Sequence, residues 1–175
     1  MKLFQSYKEY LTIIRKILVP NEVVSKIEEI DIDHLIENGY TTLLLDVDNT
    51  VLPMEEKTLT LQRANWIQKA KDKGFNVFFI SNNSNHKRIL KVCKQVEING
   101  MFFCCKPFIH NVIEFAKINN IDLKKSAFIG DQLFTDVIIG NWCKGYSILT
   151  DPLDKKLSFI KTLQRQVELF LIKAL

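Results

Sequence analysis

From about residue 40 onward, short apolar runs alternate with longer stretches whose apolar residues recur every three to four positions. Leu43–Asp46 is the first clear run, and it predicts a buried strand that ends on a carboxylate. Leu59–Lys73 has helical spacing and stops at Gly74. Phe75–Ser81 predicts a second strand, Lys87–Val96 a helix, Met101–Cys104 a short strand and Ile109–Lys117 another helix. Ala127–Gly130 and Tyr146–Leu149 complete the strands, with a helix around Thr135–Cys143 between them. This alternation predicts a mainly parallel five-stranded sheet covered by helices on both faces, a Rossmann-like three-layer α/β/α sandwich.

Both ends predict helices. Leu3, Phe4, Tyr7, Leu11, Ile14, Ile17 and Leu18 keep helical spacing, as do Leu157, Ile160, Leu163, Val167, Phe170 and Leu171, and basic residues lie between them. Two readings stand: the helices cover the sheet, or the first lies on an anionic membrane surface.

At 175 residues, 47% hydrophobic and 25% charged, the chain fits one globular domain. That domain divides into a helical extension over 1–40, a core over 41–150 and a C-terminal helix over 151–175. No uncharged apolar stretch is long enough to span a bilayer. Lys8, Glu9, Arg15 and Lys16 interrupt any signal-peptide core, so a cytoplasmic location is expected. Cys93, Cys104, Cys105 and Cys143 lack paired zinc spacing and read as reduced core residues. A net charge of +4 is compatible with anionic substrates or an anionic membrane but establishes neither.

The chemistry collects at the predicted strand ends. Asp46 and Asp48 follow the first strand, Ser81-Asn82-Asn83 the second, Lys106-Pro107 the third, and Gly130-Asp131 through Asp136 the fourth. A parallel sheet brings all four to one edge, where ligands of open α/β sheets bind. Singly each is weak, since Asp-x-Asp is often a turn or a helix cap and a lone Lys is usually solvated. Together they supply what phosphoryl transfer through an aspartyl intermediate needs. Asp46 would be the nucleophile, and Asp48 would protonate the leaving oxygen and then activate water, which asks for unequal acidities. A divalent cation held by Asp46, Asp131 and a backbone carbonyl would offset the charge of the phosphate. Ser81 would hydrogen-bond phosphate oxygens, and Lys106 would attract the phosphate and keep Asp46 ionised. His34, His86 and His110 fit none of these loops and read as surface or satisfied-core residues.

Asp46-Val47-Asp48-Asn49-Thr50, Ser81, Lys106 and Gly130-Asp131 with Asp136 resemble the four motifs of the haloacid dehalogenase (HAD) superfamily, phosphatase branch. The resemblance implies Mg2+ held by Asp46, the Asp48 carbonyl and Asp131. It makes Asn82 and Asn49 further phosphate contacts and Thr50 a supporting residue. Asp136 would be either a water-mediated metal contact or a partner for Lys106. The second Asp of the first motif, Asp48, favours a phosphatase over a dehalogenase.

Only 35 positions separate Asp46 from Ser81, and 25 separate Ser81 from Lys106. Each gap is taken up by a helix and a strand, so no cap domain fits and the cleft should be open. Capless relatives act on bulky substrates or borrow a partner's surface, so a homo-oligomer is one expected source of a lid. Leu18-Val19-Pro20, Asp48-Asn49-Thr50-Val51-Leu52-Pro53, Lys106-Pro107-Phe108 and Gly130-Asp131-Gln132-Leu133-Phe134-Thr135-Asp136-Val137 resemble subfamily IIIA, the YqeG-like and phosphatidylglycerophosphate phosphatase group. Asp151 departs from that group, whose chains tend to be apolar there. The resemblance implies a phosphorylated membrane lipid as substrate and peripheral contact at the inner membrane face. Another phosphomonoester, or a non-catalytic binding protein on the same fold, is the alternative. Lys87, Arg88, Lys91 and Lys94 place a basic stripe on the helix after Ser81, but no aromatic-lined basic surface can be located, which disfavours nucleic acid.

Overall fold

The computed structural model describes residues 12–154. Of the N-terminal helix predicted over residues 3–18, residues 12–18 are described and helical; its first part and the helix predicted over 157–171 lie outside these residues. Six strands follow, β1 (Glu22–Val24), β2 (Thr42–Leu45), β3 (Asn76–Ile80), β4 (Asn99–Met101), β5 (Ser126–Gly130) and β6 (Tyr146–Thr150). The helices are α1 (Ile32–Glu37), α2 (Leu61–Asp72), α3 (His86–Val96), α4 (Ile109–Ile118) and α5 (Ile138–Trp142), the last preceded by a wide π turn, Leu133–Val137.

All strand pairs are parallel, in the order β1-β6-β5-β2-β3-β4. The sheet therefore has one strand more than the five predicted. Glu22–Val24 is too short to show a period, and it falls in the stretch read as a helical extension. Polar bonds hold it in place. Asn21 N–H donates to the Ser147 carbonyl at 2.9 Å, and Ser147 N–H and Oγ both donate to Asn21 Oδ1, at 2.9 and 3.0 Å.

The alternation of side chains in β2 explains the layers. Leu43 and Leu45 pack with α1, α2 and α3 through Leu35, Ile67, Ile89 and Val92. Leu44 faces the other way, against Val112 of α4 and Ile139 of α5. β2 and β5 are buried along their whole length, as strands covered on both faces must be. Cys93, Cys104 and Cys143 are buried, and all four cysteines are unpaired. Burial pushes the Cys104 and Cys143 thiols up to about 11 and about 12.

From β2 the chain winds through β3 to β4 on one side, then crosses to β5 and β6 on the other. The β2–β5 boundary is thus the switch point of the sheet, where a crevice opens at the strand ends. Leu45 is level with Phe79 of β3 and Ile129 of β5, so all three strands finish together. No cap interrupts them: α2 and β3 fill the chain between Asp46 and Ser81, and α3 and β4 fill the next gap.

Candidate active site

Asp46 is the first residue beyond β2, and its N–H donates to the Ile129 carbonyl of β5 at 2.8 Å. That bond aims the residue into the crevice. Asp131 leaves β5 one position after Gly130, and Asp136 returns from the π turn. Lys106 takes a longer path. After β4 the chain folds back, with Phe103 N–H on the Asn83 carbonyl at 3.2 Å and Cys104 N–H on the Ser81 carbonyl at 2.9 Å. Phe103 and Cys105 adopt left-handed φ values of 52° and 56°. This fold-back replaces the predicted strand over 101–104 beyond Met101. Asn82 then brackets Lys106, accepting from its N–H at 2.7 Å and donating to its carbonyl at 3.0 Å.

The result is a buried charge network. Lys106 Nζ donates to Asp46 Oδ1 at 2.6 Å and to Asp136 Oδ1 at 2.5 Å. Asp136 therefore partners Lys106, and its Oδ2 accepts from Gln132 N–H at 3.1 Å. Thr50 Oγ1 lies 3.4 Å from Asp46 Oδ2 and 3.5 Å from Asp131 Oδ1, joining the first and fourth motifs. Gly130 makes the arrangement sterically possible, because a Cβ there would lie 2.1 Å from Asp136 Cγ. Gly130→Ala is expected to destabilise the protein by about 3 kcal/mol, checked by urea unfolding.

Burial pushes Asp46 up to about 7, with Lys106 pulling in the opposite direction and Asp136 adding to the rise. Lys106 alone thus does not keep this carboxylate strongly acidic, because desolvation outweighs the ion pair. Burial by itself lowers Lys106, yet Asp136 and Asp46 together carry it above the ordinary lysine range.

Asp46, Asp131 and Asp136 place carboxylate oxygens within 4.8 Å of one another, all three residues buried. Lys106 pairs with two of them, Asp46 and Asp136. Hard oxygen donors clustered in this way fit a divalent cation such as Mg2+. Both Asp136 oxygens are engaged, Oδ1 by Lys106 and Oδ2 by Gln132 N–H.

Asp48 sits beside this network, half-buried. Its Oδ2 accepts from Asn83 Nδ2 at 3.0 Å and from Ser81 Oγ at 3.4 Å, and its Oδ1 pairs with Arg88. The cleft above holds about 200 Å³ and is lined by Asp46, Asp48, Met54, Asn82, Asn83, Lys106, Gln132 and Thr135. Ser81 and Asn49 are not on its wall. Ser81 is fully buried behind Asp48, and Asn49 is buried in a left-handed turn whose N–H bonds the Leu52 carbonyl at 2.8 Å. Asn83 thus stands on the wall where Ser81 and Asn49 were expected.

Arg88 is the residue the sequence reading misplaced. It belongs to the buried face of α3 with Val92 and Val96, four and eight positions on, and not to the exposed basic stripe of Lys87, Lys91 and Lys94. That i, i+4 row is present in the sequence, but a charged residue ordinarily marks a solvated face.

A family model described as mitochondrial PGP phosphatase matches residues 6–153. The chain belongs to the PGP phosphatase family. This phosphatase is also 31% identical to Bacillus subtilis Probable phosphatase YqeG over 164 residues, covering 93% of this chain and 94% of that one. Two solved structures share the fold. An uncharacterized protein from Listeria monocytogenes serotype 4b is 16% identical, with 77% and 99% of the two chains covered and a TM-score of 0.51. One from Corynebacterium glutamicum is 15% identical, with 75% and 96% covered and a TM-score of 0.53. The chain is a phosphatase of that family, and its four polar strand-end loops meet at one edge of the parallel sheet.

Proposed function

We propose that this phosphatase hydrolyses phosphatidylglycerophosphate at the inner face of a membrane, through a phosphoaspartyl intermediate on Asp46. The observation that carries the chemistry is Lys106 bonded to both Asp46 and Asp136 beside Asp131, at the switch point of the sheet. The lipid substrate is supported by the PGP phosphatase family and by a cleft that no cap closes among the described residues.

A carboxylate oxygen of Asp46 attacks phosphorus, and the bond to the leaving oxygen breaks as that oxygen takes the proton of Asp48. Asp48 then removes a proton from water, which attacks the phosphoaspartate and releases phosphate. Lys106, Asn82 and Asn83 face the phosphate oxygens from the cleft wall. Asp46, the Asp48 carbonyl and Asp131 would hold Mg2+, whose charge when bound offsets that of the phosphate.

The test is phosphate release with Mg2+ from phosphatidylglycerophosphate in vesicles, from nucleic-acid ends, from phosphopeptides and from small phosphomonoesters. Turnover of the lipid at least ten times more efficient than of the others is expected. Activity on soluble sugars with none on the lipid would overturn the substrate.

Acidity adds a second check. With Asp46 raised from 3.8 to about 7, the metal-free folded state keeps a proton that the unfolded chain has lost between those values. This group's contribution to stability therefore falls as pH rises through that window. Mg2+ needs the carboxylate, so it competes with the same proton. The rise in melting temperature on adding Mg2+ is expected to be larger at about pH 8 than at about pH 5.5, measured by calorimetry.

A further inference from the structure

Arg88 reaches Asp48 from the first turn of α3 through Nη1, and the other two nitrogens of its guanidinium are committed elsewhere. Nε donates to the Glu56 carbonyl at 2.8 Å and Nη2 to the Pro53 carbonyl at 2.8 Å, while Nη1 pairs with Asp48 Oδ1. The side chain is 5% exposed, and the residue does not line the cleft. A guanidinium pinned by two main-chain carbonyls cannot turn to follow a phosphate, so Arg88 is no substrate ligand. It is a fixed fork that sets the position of one carboxylate oxygen.

The two oxygens of Asp48 are consequently unequal. Oδ1 is held by a charged, immobile donor. Oδ2 is held only by neutral side chains, Asn83 at 3.0 Å and Ser81 at the longer distance of 3.4 Å. Those donors can release Oδ2 when a substrate arrives, and Arg88 cannot release Oδ1. We propose that Arg88 is the positioning residue for the acid/base carboxylate, fixing Oδ1 of Asp48 so that Oδ2 keeps one place beside Asn83 and Ser81. Through Pro53 and Glu56, Arg88 also ties the loop bearing Met54, a cleft-lining residue, to the same carboxylate. The inference rests on the proposed role of Asp48.

Leaving-group chemistry tests it. A nitrophenolate departs without a proton, whereas an alkoxide needs one. Arg88→Met is expected to slow kcat for an alkyl phosphomonoester at least thirtyfold. The aspartyl-phosphorylation burst with p-nitrophenyl phosphate should change less than threefold, with KM nearly constant for both. Arg88→Lys, which keeps one charge but cannot reach both carbonyls, should recover part of the loss, and it replaces Arg88→Met in every comparison if that variant does not fold. Adding Arg88→Met to Asp48→Asn should cost less than threefold more, because both act at one group. Equal slowing on both substrates, a raised KM with unchanged kcat, or multiplicative losses would overturn the inference. If Asp48→Asn itself shows no leaving-group dependence, the acid/base reading of Asp48 fails instead, and the inference with it.

Discussion

Asp46→Asn is expected to lower phosphate release about 10,000-fold or more while leaving the fold intact. The carboxamide fills the same volume, and its oxygen can still accept from Lys106 where Asp46 Oδ1 now lies at 2.6 Å. What it lacks is an oxygen able to bond phosphorus. Folding has little reason to suffer, because burial already disfavours the charged carboxylate and holds it at about 7. Two readouts separate the explanations. Trapped phosphoenzyme should vanish along with turnover, and the metal-free melting temperature should stay near that of the unaltered protein. Turnover within tenfold of the original would remove Asp46 from the nucleophile's role.

Lys106→Met should cost both activity and stability. The lysine side chain is 1% exposed, and its ammonium is the group that bonds both Asp46 and Asp136. Methionine matches its length but leaves buried acids facing one another without a counter-charge. Breaking a buried pair in this way costs about 3–5 kcal/mol. The deficit should be larger at about pH 8 than at about pH 5.5, since protonating Asp46 removes part of the repulsion. Mg2+ should recover some of the stability, as the acidic cluster then has another cation, but activity should stay down by a factor of about 100 or more. Urea unfolding at the two pH values, with and without Mg2+, checks the first part and phosphate release the second. A deficit that does not depend on pH would mean that lost packing outweighs lost charge.

These expectations depend on features of unequal visibility in the sequence. The strands behind Asp46, Ser81 and Asp131 were legible because a parallel strand covered on both faces is a continuous apolar run, and β2 and β5 are buried at every position. The four polar loops were legible because they stand directly after such runs. β1 was not, since three residues carry no period and the polar bonds beside it join Asn21 to the distant Ser147. The turn of the chain into Lys106 was hidden because Phe103 and Cys105 take left-handed conformations with no glycine to announce them. Arg88 was hidden by its charge, which marks a solvated position unless a carboxylate comes from another element to meet it. The raised pKa of Asp46 could not be read from neighbours in the chain at all. It arises from the depth of the crevice, which only the assembled sheet creates.

Among the described residues no domain stands over the cleft of about 200 Å³. A pocket of that size engages the phosphate and the few atoms next to it, the portion that most phosphomonoesters have in common. Free phosphate should therefore compete well for it, whatever ester is supplied. Choice among esters must then be made by where the protein is stationed and by what presents the ester to it. For a catalyst that grips so little of its target, address would then count for more than fit.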